Sequence, residues 1–336
     1  MNPIETTRQV KALGLCSGGL DSILSALLLK DQGINVTWIS FETPFFDARE
    51  AKKASKQTGI PLIVKDIREA YMEMMKAPKA GFGKNMNPCM DCHTLMFAKA
   101  GAIMGQIGAD FLFSGEVVGQ RPKSQTKSAL RYVEKNCGYD GLILRPLSAG
   151  ILPETIAEQK GLVDRSRLLS ISGRSRKPQN ALAKKYGVTE YPSPAGGCLL
   201  TDKGYSQRLR DLLYVQKTED KTQLNLLKHG RHFRLDSRSK LVVGKNKAEN
   251  KRIMDLYDPQ THIRLRCTHL PGPDALVFGQ TDEAALHLAA TITSGYTKAS
   301  AGALTTISVF KKQGTKEIEV VAPESGAFHN LLIQSP

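Results

Sequence analysis

The residues with the clearest chemical potential are Ser17-Gly18-Gly19-Leu20-Asp21-Ser22, set between an apolar run and a leucine-rich one. Glycines let a backbone turn tightly, so that its amide donors converge and the following helix presents its positive end to an anion. Pyrophosphate fits such a nest. Ser17 and Ser22 add hydroxyl donors, and Asp21 is placed to hold Mg²⁺ against phosphates or to orient the loop. The GxxxxGK loop of the other large nucleotide-binding class is absent. The bland alternative is an ordinary strand-to-helix turn.

Thiols form the second group. Cys89 and Cys92 lie in NPCMDCH at the start of a predicted helix, and Cys198 follows in PAGGC. Two cysteines in a CxxC pair suit structural zinc, a redox dithiol or an iron–sulfur cluster. Zinc needs a fourth ligand, for which His93, Cys137 and Cys267 are available but not signalled. Cys16 ends a predicted strand and reads as packing. The run Gly173–Lys177 supplies Arg174, Arg176 and Lys177, which suit phosphate contacts with RNA or a solvated turn. The histidines form no HxxxH or HExxH pattern.

These groups need a frame. Predicted strands at Val10–Cys16, Asn35–Phe41, Pro61–Lys65 and Phe111–Ser114 alternate with predicted helices at Asp21–Lys30, Asp47–Thr58 and Phe97–Gly108. Such alternation implies an α/β domain with a doubly wound parallel sheet, whose ligands bind beyond the carboxyl ends of strands. The Ser17 loop, Phe41–Thr43 and Ser114–Gln120 all fall at such ends, which makes the backbone at Phe41 a candidate adenine contact. Helices are predicted at Pro153–Gly161, Gln179–Tyr186 and Gly204–Leu213. From about Gly230 the segments HFRL, KLVVGK, IRLRC, ALVFG, TTISVF and IEVVA are strand-like, with helices at Ala248–Leu256 and Glu283–Thr293, giving a second, α+β domain. Polar KTEDKTQLN marks the linker, so the expected division is 1–215 and 216–336.

A chain of 336 residues with 41% hydrophobic content has ample material for two cores. Lys and Arg number 47 against 32 acidic residues, a formal net charge of +15 spread over both parts, which favours a polyanionic partner. The N-terminus lacks the pattern of a secretory signal, and the apolar runs are too short to span a bilayer. A cytoplasmic enzyme with no membrane partner is expected. Its oligomeric state stays open.

LCSGGLDS resembles the N-type ATP pyrophosphatase loop (PP-loop) of thiouridine and GMP synthetases, enzymes of adenine nucleotide alpha hydrolase-like fold that split ATP into AMP and pyrophosphate. GEVVGQRPKSQ at Gly115–Gln125 and LRPLS at Leu144–Ser148 are similar to segments of tRNA 4-thiouridine synthetases. By that resemblance Gly115, Gln120 and Ser124 line the nucleotide crevice. NPC–C resembles a segment of tRNA 2-thiouridylases, with Cys92 matching a catalytic cysteine and Cys198 near the place of its partner, but Cys89 stands where that family has aspartate. A CxxC pair plus one remote cysteine is instead the ligand set of cluster-dependent tRNA thiolases, in which three cysteines hold a [4Fe–4S] cluster. GKNKAEN, LPGPDALVFG and AALHLAATITSGYTKASAG look like the RNA-binding domain of NFACT proteins, which implies RNA contacts by Lys245, Lys247, Lys251 and Arg252.

The resemblance implies a tRNA sulfurtransferase. ATP with Mg²⁺ would adenylate a uridine carbonyl oxygen, 4-thiouridine being favoured over 2-thiouridine. Sulfur from free sulfide or a cysteine desulfurase would then replace it, with Asp21 and the thiols Cys89, Cys92 and Cys198 as the catalytic set. A persulfide on Cys198, resolved by Cys92, is the alternative to the cluster. Two other readings stand beside it: a PP-loop ligase or amidotransferase without sulfur chemistry, and an RNA- or ribosome-associated protein that merely binds ATP.

Overall fold

The computed structural model describes residues 8–193 and 198–333. They divide into two compact units, Met1–Cys198 and Leu199–Pro336.

The first unit is built on five parallel strands, β1 (Lys11–Leu15), β2 (Asn35–Glu42), β3 (Leu62–Asp66), β4 (Phe111–Ser114) and β5 (Ile143–Leu144), in the order β3-β2-β1-β4-β5. Parallel neighbours need crossover connections, and these are supplied by α1 (Leu20–Lys30), α2 (Arg49–Thr58), α3 (Arg68–Lys76), α4 (Cys89–Ile107) and α5 (Lys127–Asn136), with α6 (Ile156–Gln159) and α7 (Lys177–Lys185) following. Helix cover makes the central strands apolar throughout: all four residues of β4 are buried. The chain leaves β1 for β2 on one side, and β4 pairs with β1 on the other. The strand order therefore reverses between β1 and β4, the place where such sheets open a crevice.

Local chemistry sets the helix ends. Gly59 and Gly108 adopt left-handed conformations at the ends of α2 and α4, and the Thr126 hydroxyl accepts from the Ala129 amide to start α5. Helix α4 begins eight residues before the predicted Phe97. Its first turns carry Cys89, Asp91, Cys92 and His93, whose polar and thiol side chains hide the apolar periodicity that marks the rest. Helices α3 and α5 also escape the sequence pattern. Each is ten residues or fewer and buries only three side chains, Tyr71, Met72 and Met75 in one and Ala129, Leu130 and Val133 in the other.

In the second unit α8 (Lys203–Arg210), a π turn over Asp211–Val215 and α9 (Lys221–Leu226) precede an antiparallel sheet. Its strands are β6 (Arg231–Arg234), β7 (Ser239–Val243), β8 (Ile263–Arg266), β9 (Asp274–Gly279), β10 (Leu304–Lys311) and β11 (Gly314–Val321), in the order β11-β10-β8-β9-β7-β6. Each of the six strand-like segments of the sequence forms one of them. Helix α10 (Lys247–Met254) lies between β7 and β8, and α11 (Glu283–Ser294) buries Leu286, Ala289, Ala290 and Ile292 in the core beneath the sheet. Among the described residues no helix is long and apolar enough to cross a membrane.

Candidate nucleotide and thiol site

The glycine-rich loop turns out of β1 at Cys16 and enters α1 at Gly19, its N-cap. Gly18 has φ +76°, and a Cβ there would stand 2.2 Å from the backbone carbon of Glu50, so no other residue fits. The Ser17 and Ser22 hydroxyls lie 3.1 Å apart across the loop. Cys16 is 4% exposed, and burial pushes its thiol up to about 12, against an opposing hydrogen bond from the Gly18 amide. It packs, as expected of a strand end.

Asp21, in the first turn of α1, is the hub. Its Oδ2 accepts from Gln120 Nε2 at 2.7 Å and from Arg176 Nη2 at 3.2 Å, while its Oδ1 is buried with no hydrogen-bond partner among the described residues. Gln179, fully buried on α7, donates to Gln120 Oε1 at 2.9 Å. After β4 the chain presses against the same loop, since a Cβ on Gly115 would meet the Asp21 backbone carbon at 2.4 Å. An orphaned carboxylate oxygen beside a hydroxyl-lined glycine turn is what Mg²⁺ and phosphates would complete, so the residues fit a metal-bound nucleotide.

The thiols gather at the start of α4. Cys89 and His93 are four residues apart on that helix and therefore neighbours. Burial resists ionisation of Cys89, but a hydrogen bond from His93, the His93 charge, a hydrogen bond from Ser124 and the Arg121 charge together lower its pKa. His93 Nδ1 lies 2.8 Å from Glu116 Oε1. Burial alone would lower His93; its bonds to Cys89 and Glu116 outweigh that and raise it to about 10. Glu116 is buried too, yet the Arg145 charge, followed by His93, holds it at about 2. Arg145, 2% exposed, bonds Glu116 Oε2 at 3.0 Å through Nε and also pairs with Glu134. Burial pushes Cys92 up to about 12, with the Tyr71 hydroxyl beside it and the charges of Cys89 and Cys198 close enough to be felt.

Cys89, Cys92 and Cys198 thus come within electrostatic reach of one another and of Tyr71. Cys137 donates to the Glu134 carbonyl at the end of α5, and Cys267, just past β8 rather than within it, belongs to the core of the second unit. Three thiols have the donor chemistry of an iron–sulfur or zinc site. Among the described residues, however, no group of three or more His, Cys, Asp or Glu has a metal-holding arrangement. The PAGG stretch before Cys198 lies outside the described residues.

The remaining expected residues divide. Gly115 and Gln120 stand at the glycine-rich loop, whereas Ser124 bonds Cys89 on the thiol side. Phe41 is buried at the end of β2 and pairs with Lys65 of β3. Arg174 and Lys177 are exposed, and Arg176 turns onto Asp21. Lys245, Lys247, Lys251 and Arg252 are exposed on and beside α10, where Glu249 Oε2 accepts the Gly230 and Lys245 amides. The sequence marks His93 only as a spare zinc ligand and signals no role for Glu116, Arg145, Tyr71 or Gln179. The one available signal was the four-residue step from Cys89 to His93, which counts only once α4 is known to start at Cys89.

A parallel sheet that opens at β1 and β4 around a glycine-rich, aspartate-bearing loop defines the first unit as a PP-loop nucleotide domain. Residues 7–159 match the family model for the thiamine biosynthesis protein (ThiI), and residues 230–328 match that for the NFACT protein RNA binding domain. The chain therefore carries a ThiI-type PP-loop domain followed by a domain of the NFACT RNA-binding type. The tRNA-specific 2-thiouridylase MnmA of Thermus thermophilus is 30% identical over 135 residues, 32% of this chain and 36% of the relative. That of Acidithiobacillus ferrooxidans is 26% identical over 217 residues, 60% of this chain and 57% of the relative. The matches thus span about a third to somewhat over half the length of these curated relatives. A solved structure, a predicted subunit of tRNA methyltransferase from Methanocaldococcus jannaschii, aligns with 53% of this chain and 88% of its own at 17% identity and a TM-score of 0.31, too loosely to bear on function.

Proposed function

We propose that the chain is an ATP-dependent tRNA sulfurtransferase, with the first unit carrying the chemistry and the second gripping the RNA. One observation carries this reading. The segment from Gly115 to Gln125 is a shared wall: Gly115 and Gln120 meet the glycine-rich loop, Ser124 bonds Cys89, and Glu116 holds the His93 that bonds the same cysteine. A nucleotide-binding protein needs only the first contact; a thiolase needs both, because activation and sulfur delivery must reach one base.

A uridine carbonyl oxygen leaves poorly. Its lone pair attacks the α-phosphorus of ATP, the bond to the bridging oxygen breaks, and pyrophosphate departs into the Ser17–Ser22 nest. Asp21 would hold Mg²⁺ through its unpartnered Oδ1. Sulfur then adds to the activated carbon, and AMP leaves with the former carbonyl oxygen. A [4Fe–4S] cluster held by Cys89, Cys92 and Cys198 would supply an iron able to carry that sulfur as hydrosulfide. His93, fixed by Glu116, orients and donates to the Cys89 sulfur. We favour 4-thiouridine as the product, on the likeness of Gly115–Gln125 to the 4-thiouridine enzymes.

The test compares nucleosides from total tRNA of cells with and without the gene. Loss of one thiolated nucleoside is expected; an unchanged profile ends the sulfur reading. Anaerobically purified protein should carry iron and sulfide that fall together in Cys89→Ala, Cys92→Ala and Cys198→Ala, and zinc in their place would remove the cluster.

A further inference from the structure

The sequence offers the three cations of Gly173–Lys177 as one run, suited to RNA phosphates or to a solvated turn, but they separate. Arg174 and Lys177 are exposed, while the Arg176 side chain is 28% exposed and pairs with Asp21 at 3.2 Å across 155 residues of sequence. The whole run is sewn to the nucleotide loop's neighbour. Ser172 bridges Val118 in parallel, the Gly173 amide donates to the Val118 carbonyl at 2.8 Å, and the Ser148 hydroxyl accepts the Val118 amide while donating to the Ile171 carbonyl. From there Gln179 reaches Gln120, and Gln120 reaches Asp21. Asp21, Gln120, Gln179 and Arg176 thus form a ring anchored on two helices, closed between Gln179 and Arg176 by the backbone of the first turn of α7.

An exposed ion pair would mean little in itself. This one differs because the ring fixes it and because only one nitrogen of the guanidinium is engaged: among the described residues the Arg176 side chain makes no other hydrogen bond. Its other donors stay available for the planar, charge-assisted bonding that phosphate oxygens favour. The need is also plain. The loop lacks the lysine of GxxxxGK loops, so the charge building on departing pyrophosphate must be met by Mg²⁺ and by a cation from elsewhere in the fold.

We propose that Arg176 is a nucleotide-site residue, held by Asp21 and the Gln120–Gln179 pair so that its guanidinium binds the phosphates of ATP and stabilises the leaving pyrophosphate. The proposal rests on the ATP-splitting reading above. It reassigns this arginine from RNA recognition to the activation step, and leaves Arg174 and Lys177 with the RNA.

The test uses the full chain in three measurements: binding of Mg-ATP alone by calorimetry, AMP formation with ATP, tRNA and sulfide, and tRNA affinity by filter binding without nucleotide. In Arg176→Ala the rate constant for AMP formation should fall about 100-fold, with tRNA affinity changed less than about twofold. Arg176→Lys, which keeps a point charge, should recover about a tenth of the lost rate or more. Arg176→Gln keeps a donor for Asp21, so if alanine loosens the fold the glutamine variant still reports loss of the charge. The proposal falls if Arg176→Gln forms AMP at the unmodified rate, or if tRNA affinity drops while AMP formation at saturating tRNA is preserved. Wild-type protein that binds no Mg-ATP and forms no AMP would instead overturn the ATP-splitting reading and this inference with it.

Discussion

His93 Nδ1 and Glu116 Oε1 lie 2.8 Å apart, although one residue sits in the first turns of α4 and the other in the loop after β4. The second Glu116 oxygen takes the Arg145 guanidinium, so one buried carboxylate binds both the helix that bears the thiols and the strand end that bears the arginine.

Removing that carboxylate's charge should be costly. Glu116→Gln leaves Arg145 with Glu134 alone, and loss of a buried ion pair costs about 3–5 kcal/mol. The pH dependence has two arms. Glu116 titrates at about 2 when folded, below its ordinary 4.5, so its stabilisation is full above about pH 4.5 and is lost as pH falls towards 2. His93 titrates at about 10, above its ordinary 6.5, so its stabilisation is full below about pH 6.5 and is lost as pH rises through 10. Urea melts across that range should show the acid arm vanish in Glu116→Gln and the alkaline arm shrink. A variant that matches wild type at every pH would mean the network does not support the fold.

The thiols should differ in reactivity. His93 lowers the Cys89 pKa, whereas burial pushes Cys92 up to about 12. Brief alkylation of metal-free protein at neutral pH, read by peptide mass spectrometry, should label Cys89 well ahead of Cys92. His93→Gln should slow labelling of Cys89, because the partner that favours its thiolate is gone. Equal labelling of the two cysteines would contradict the arrangement.

Gly115 tests the closeness of the two loops. A methyl there would meet the Asp21 backbone at 2.4 Å and the Ser22 amide at 2.5 Å, so Gly115→Ala must push the glycine-rich loop or the strand end aside. Mg-ATP affinity should drop by about tenfold or more, about 1.4 kcal/mol. Gly105→Ala is the control: a Cβ there meets nothing within 4 Å, and alanine in a helix should stabilise by up to about 1 kcal/mol. Calorimetric titration of both variants gives the comparison.

Lys240, 1% exposed on β7, is a liability in the second unit. Burial depresses its pKa to about 8, so the folded state binds fewer protons than the unfolded one between about pH 8 and 10.5. Stability should therefore rise with pH over that interval, the protonated lysine being the costly form. Lys240→Met should raise stability at neutral pH by about 1 kcal/mol and flatten the slope. A destabilised methionine variant would show that the bond from Nζ to Gln216 outweighs the burial penalty.

Much of this protein is legible in the sequence because its signals are local. SGGLDS, the alternation around it and the six strand-like segments of the second unit are each set by neighbours a few residues apart, through glycine conformation, caps and apolar periodicity. The division of labour among the polar residues is not local. Glu116 meets His93 across 23 residues and Arg145 across 29, and Asp21 meets Arg176 across 155. The sequence grouped Arg174, Arg176 and Lys177 as one basic run and Gly115, Gln120 and Ser124 as one nucleotide wall. Folding divides both sets, sending Arg176 to Asp21 and Ser124 to Cys89. Side chains on successive residues of a loop leave it in different directions, and only tertiary packing decides that Arg176 meets Asp21 while Arg174 stays exposed, and that Gln120 meets Asp21 while Ser124 meets Cys89.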